Sequence, residues 1–217
     1  MMQQGKAAQA YEEIERLIVF QELAPGSLVS EAVLMEKTGL GRTPVREALQ
    51  QLARNRLVEI HPNKGVLVPP ASVEAQLRML ELRRVLEALA VRLACQTATN
   101  NDSEAMQEMV QLLEADRFTL RQYLETVKET HLMIVNASHN EYLADAMAPL
   151  QGLSRRFWIT HVRDEQAEIS QGSSLHARIL HAILDRDSEG AEKASHALND
   201  YLVEFAYRTI HTRASAS

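Results

Sequence analysis

Thr43, Arg46 and Gln50 are the first residues whose types and spacing suggest chemistry. Projected at 100° per residue, they fall nearly opposite Val45, Ala48, Leu49 and Leu52. A helix that packs the apolar set therefore turns the polar set outward. Arg can bond guanine bidentately and Gln adenine, so such a face near a helix N-terminus suits reading of a DNA major groove. Arg42 stands just ahead of it, and Lys64 and Gly65 follow in a Pro-Asn-Lys-Gly turn. A lysine there can meet a phosphate, and glycine removes side-chain bulk where such a turn would approach the sugar-phosphate backbone. The alternative is a set of solvated polar residues on a small helical domain.

The elements that must position these residues are marked by turn chemistry. Residues 7–21 read as a helix with Ile14, Leu17 and Ile18 on one side. Ser30, as N-cap, opens a short helix that ends at Thr38 before Gly39. A third helix begins near Thr43, with Pro44 at its first position, and runs to about Asn55. The β-type runs 57–60 and 66–68 flank the Pro-Asn-Lys-Gly turn as a hairpin. Together these elements predict a winged helix-turn-helix over 1–71, ended by the stiff connector Pro69-Pro70-Ala71-Ser72. From 72 to 217 no strand signal appears. Met79, Leu82, Leu86, Leu89 and Leu93 form an apolar stripe on a helix of about 25 residues. Further helices are expected over 103–116, 119–138, 141–162, 172–186 and 188–212, joined by loops short enough for an antiparallel bundle. The fold class is mainly α: the winged module followed by an all-α effector-binding and dimerisation domain.

The formal charge of the 217 residues is −6, which taken alone argues against a nucleic-acid partner. It is unevenly spread. Residues 1–71 hold eight Lys or Arg and eight Asp or Glu, whereas 72–217 hold fifteen against twenty-one. The segment 42–64 is locally basic. One cysteine, Cys95, excludes an intrachain disulfide, and no basic-then-apolar leader or uncharged membrane-length run is present. A cytoplasmic protein with no membrane partner is expected.

Leu23-Ala-Pro-Gly-Ser-Leu-Val-Ser-Glu31, Gly41-Arg-Thr-Pro-Val-Arg-Glu-Ala-Leu49, Leu52, Leu57-Val58 and Asn63-Lys-Gly65 resemble the DNA-binding domain of the GntR family of bacterial transcription regulators. With the helical remainder, the chain resembles the FadR-type branch, whose effector domain is called FCD, in its VanR-like version with six C-terminal helices. By that resemblance Arg42, Thr43, Arg46, Lys64 and Gly65 contact operator DNA, and the helix projection adds Gln50. One departure is Ala32, where family members often carry Arg after the Glu of the second helix.

The same resemblance implies a divalent metal (Zn, Ni or Mn) held by one Asp and three His. His131 matches the first histidine and lies on the inward stripe Leu120, Leu124, Val127, His131, Ile134. His176 matches the second and shares a face with Ile179 and Ile183. The Asp position is Val127 and the third His position is Leu198, so only two of four ligands remain. Three readings stay open: a metal site completed by Glu125, Glu129 or His161, a metal-free pocket for a small organic anion, or core histidines without a ligand. Arg83 matches an arginine that recurs in this branch. Its guanidinium suits a carboxylate effector, and the alternative is an ion pair with Glu87 one turn on. Arg155, Arg156 and Trp158 either line the same cavity or pack, and Cys95 is expected in the core.

These observations predict a ligand-responsive transcription regulator and not an enzyme. It would be a repressor, binding a palindromic double-stranded operator as a homodimer and released by a small carboxylate metabolite. The rivals are a metal-dependent helical enzyme and a protein-interaction module, each carrying a degenerate DNA-binding domain.

Overall fold

The computed structural model describes residues 5–214. They fall into two compact units, one of residues up to 72 together with 152–160, the other of 73–151 and 161 onward.

In the first unit the order is α1 (Lys6–Val19), β1 (Leu28–Val29), α2 (Glu31–Thr38), α3 (Arg42–Arg54), β2 (Glu59–His61) and β3 (Gly65–Leu67). Ser30 Oγ accepts from the Val33 N–H at 3.3 Å, and Gly39 ends α2 in the left-handed region. Pro44 is the third residue of α3, where backbone N–H groups have no partner within the helix, so the missing donor costs nothing. Val45, Ala48, Leu49 and Leu52 are buried in one core with Ile14, Leu17 and Ile18 of α1. The sheet is antiparallel in the order β1-β3-β2.

The hairpin is shorter than expected. Leu57 and Val58 leave the β-run and enter the core, and β1 pairs with β3 as a third strand that is too short to show alternation in sequence. Gly65 has φ 123°, and a Cβ there would lie 2.8 Å from the Val29 carbonyl oxygen. The internal sheet thus requires this glycine, independently of any phosphate. In residues 152–160 the Arg156 guanidinium donates to the carbonyls of Leu57 and Pro69, and Arg155 lies 3.5 Å from Glu15. Burial pulls the Arg156 pKa below its ordinary value.

Beyond Ser72 the described helices are α4 (Val73–Thr97), α5 (Asn100–Ala115), α6 (Leu120–Ala137), α7 (Glu141–His161), α8 (Glu165–Leu184) and α9 (Ser188–Ala214). Thr99 with Asp102, and Thr119 with Gln122, form capping boxes, and Asp164 Oδ1 accepts from the Ala167 N–H at 3.1 Å. Two expectations are corrected. The loop expected between 162 and 172 lies largely inside α8, which starts seven residues before the expected 172. Gly172 is there because the Tyr123 hydroxyl fills the space a Cβ would need: the two would be 1.8 Å apart. The leucine stripe of α4 is not its packed face. The buried side of α4 carries Leu80, Arg83, Glu87, Ala90, Val91 and Ala94, while Leu82 and Val85 are 52 % and 65 % exposed. Small side chains win the inner face because α4 packs against the length of α9, and alanines let the two backbones approach.

Candidate functional site

The residues expected to contact DNA all lie in the first unit. Arg42, Thr43, Arg46 and Gln50 are exposed along α3, Lys64 is exposed in the β2–β3 turn, and Gly65 is half-buried at the start of β3. The N-cap of α3, Gly41, offers no side-chain bond, so the first amides of that helix keep free hydrogens beside Arg42 and Thr43. Arg46 Nε donates to both carboxylate oxygens of Glu31, at 3.0 and 2.8 Å. The Arg46 side chain is 59 % exposed. An exposed pair of this kind contributes about 0–1 kcal/mol, so a guanine edge or a phosphate can displace Glu31. In the free protein the carboxylate holds the guanidinium on the exposed face of α3. Nothing in the sequence announces this pair, because the partners are fifteen residues apart and meet only through the angle between α2 and α3.

The second constellation is buried in the helical unit and draws on α4, α6 and α8. Arg83, Glu87, His131 and His176 are each no more than 4 % exposed. Arg83 Nε donates to Glu87 Oε1 at 2.8 Å, Nη2 forms an ion pair with the same oxygen at 2.7 Å, and Nη2 lies 3.1 Å from His131 Nε2. His176 Nδ1 is 2.7 Å from the Gly172 carbonyl, and its Nε2 is 3.3 Å from His131 Nε2. His131 Nδ1 faces Glu87 Oε1 at 3.6 Å. A carbonyl only accepts, so His176 carries its proton on Nδ1 and its Nε2 is a lone pair. A guanidinium only donates, so His131 Nε2 receives from Arg83 and its proton sits on Nδ1. Burial pushes the His176 pKa down to about 4 against the pull of Gly172, and Arg83 adds to the lowering.

Of the two sequence readings of Arg83, the ion pair with Glu87 is present, and Nη2 also adjoins His131. The metal pattern does not assemble. Val127 and Leu198 are buried apolar side chains, and among the described residues, Glu125, Glu129 and His161 among them, no group of three or more His, Cys, Asp or Glu is arranged to hold a metal ion. Two imidazoles, one with its lone pair already engaged by a guanidinium, fall short of the three or four protein ligands that Zn sites use. The donor set does not fit Zn, Ni or Mn. Cys95 is buried, and burial raises its thiol pKa, as for an inert core residue.

With this geometry in hand, comparison with known proteins is consistent across the chain. Residues 6–68 match the family described as bacterial regulatory proteins, gntR family, and residues 78–200 match the FCD domain. The Nta operon transcriptional regulator of Aminobacter aminovorans is 29 % identical over 210 residues, which cover 93 % of this chain and 98 % of that protein. The galactonate operon transcriptional repressor of Escherichia coli is 24 % identical over 198 residues, 82 % of this chain and 86 % of its own. The solved structure of E. coli McbR/YncC superimposes with a TM-score of 0.82 at 22 % identity, covering 96 % of this chain and all of that one. No described helix is long and apolar enough to cross a membrane. The chain belongs to the GntR family of bacterial transcription regulators, in the branch that joins a winged helix-turn-helix to an FCD domain.

Proposed function

We propose that the chain represses transcription in the cytoplasm by binding a palindromic operator as a homodimer, and that a small organic acid held by Arg83, His131 and His176 releases it. The observation that carries the DNA-binding reading is the exposed face of Arg42, Thr43, Arg46 and Gln50 beside Lys64, with Arg46 on an exchangeable partner. The homodimer is supported by α4, whose leucine-rich side faces outward in the single chain, and by charge. The DNA-binding half is neutral overall and only locally basic, so two modules bound together compensate for what one lacks. Release follows if the acid binds the DNA-competent and DNA-incompetent arrangements with different affinity. Names of relatives lend support, since regulators of the Nta and galactonate operons act on operons.

The test is an anisotropy titration against the promoter region beside the protein's own gene. R42A and R46A should each weaken binding by about tenfold or more, and each lost phosphate contact should lower the salt slope by about one. Unchanged affinity and slope in both variants would overturn the reading.

A further inference from the structure

The hydrogen bonds around the buried histidines identify which polar atoms still lack a partner. His176 Nε2 is a lone pair, because its Nδ1–H is given to Gly172. Its neighbour at 3.3 Å, His131 Nε2, is no help, since that nitrogen already receives the Arg83 N–H. Glu87 Oε1 accepts from Arg83 Nε and pairs with the Nη2 charge, but Glu87 Oε2 is buried and accepts no hydrogen bond. The cluster is therefore short of hydrogen-bond donors at two points, one nitrogen and one carboxylate oxygen. A buried acceptor left in that state keeps its desolvation cost unrelieved, the more so when it is charged. On the donor side, Arg83 has committed Nε and Nη2, which leaves the Nη1 edge for an incoming acceptor.

Charge narrows the class of ligand. Arg83 and Glu87 cancel, and the tautomers above leave both imidazoles neutral. A bare carboxylate entering this site would add an uncompensated buried negative charge, and a simple amine an uncompensated positive one. A molecule that carries both groups adds neither. We propose that the effector is an amino carboxylate whose ammonium donates to His176 Nε2 and Glu87 Oε2 while its carboxylate accepts from Arg83 Nη1. This rests on the reading of the cluster as the effector site and sharpens its ligand from an organic acid to a zwitterion. The donor that His176 Nε2 and Glu87 Oε2 call for is then supplied by the ligand and not by a metal ion.

The experiment uses the full-length protein and two readouts, thermal denaturation and release of promoter DNA. The probes are the twenty common L-amino acids, β-alanine and 4-aminobutyrate, each set beside its hydroxy or desamino acid and its decarboxylated amine, and ZnCl2, NiCl2 and MnCl2 alone. The expected result is that one or more amino carboxylates raise the Tm and weaken operator binding at least tenfold, while the matched acid and the matched amine do neither. E87Q removes the buried negative charge, so it should shift the preference toward the matched desamino acid by tenfold or more. H176Q is the second variant should E87Q fail to fold, and it should lower the amino-to-desamino preference. If a desamino acid releases DNA as well as its amino counterpart does, the zwitterion proposal fails and the effector-site reading stands. Should no probe act, both fail. Stoichiometric stabilisation by a metal salt alone would overturn the proposal in favour of a cation bridging the two imidazoles.

Discussion

His176 shows how burial decides protonation. Burial, opposed by the Gly172 carbonyl and aided by the Arg83 charge, holds its pKa near 4 against an ordinary 6.5, with His131 of α6 as the neighbouring ring. The folded-state value is depressed, so the unfolded chain binds the proton first. The contribution to stability is complete above about pH 6.5 and is lost progressively as pH falls toward 4, amounting to about 3 kcal/mol over that window. The Tm of the wild type should fall more steeply between pH 7 and pH 4.5 than that of H176L, measured by denaturation in matched buffers. Equal slopes would place the titration elsewhere. Val127 and Leu198 invite a second test, because they stand where the family pattern has its Asp and its third His. V127D/L198H should be less stable than wild type without metal, since it buries two uncompensated polar groups. ZnCl2 should then raise the Tm of the double variant and bind it at one equivalent by elemental analysis. A double variant indifferent to Zn would mean that Arg83 blocks the position whatever ligands surround it. Legibility at this scale follows range. Thr43, Arg46 and Gln50 were readable because a helix projection is a local property. The ties of Arg46 to Glu31 and of Arg83 to His131 were not, since they depend on how separate helices meet.

At the scale of elements, two glycines show why local punctuation misleads. Gly172 stands at the expected start of a helix, yet α8 runs through it. The residue is small because the Tyr123 hydroxyl lies where its Cβ would be, a contact between α6 and α8 that leaves no trace in a one-dimensional pattern. G172A should therefore destabilise the helical unit by about 1–3 kcal/mol through overpacking. Y123F in the same chain should recover part of the loss, because it removes the atom that the new methyl meets. Denaturant unfolding of the two single variants and the double variant gives the coupling energy, and additive effects would show that the crowding is relieved some other way. Gly65 was expected to be small for a phosphate, and the fold supplies a separate reason, since its positive φ and the nearby Val29 carbonyl both exclude a side chain. The caps, by contrast, were legible where they consist of adjacent residues: Ser30 and Gly39 bound α2 as the sequence suggests. Similarly, α4 was found at its expected length, but its packed face was misassigned because a leucine stripe outweighs an alanine stripe in any hydrophobicity count. The backbone, however, prefers the alanines where helices run close.

The misassigned face bears on the whole molecule. Leu82 and Val85 stand exposed on α4, flanked by the partly buried Met79, Leu86, Leu89 and Leu93, so the chain displays a continuous apolar stripe about four turns long. The homodimer proposed above would seat a second copy of the chain on this stripe. The acidic half repels DNA and the neutral half holds only a local basic excess, so one module should bind weakly, while two joined modules gain effective concentration without any new contact. L82E/V85E places two carboxylates on the stripe at positions that contribute little to the fold of one chain. Sedimentation equilibrium should show the variant as a monomer with unchanged helical circular dichroism. Its affinity for a full palindromic site should fall by about a hundredfold or more, while its affinity for a half-site stays that of the wild type. The half-site measurement separates the two causes of lost binding, because a damaged recognition helix weakens both sites and a lost dimer weakens only the full one. A dimeric L82E/V85E would move the interface off α4 and leave the exposed stripe without its partner.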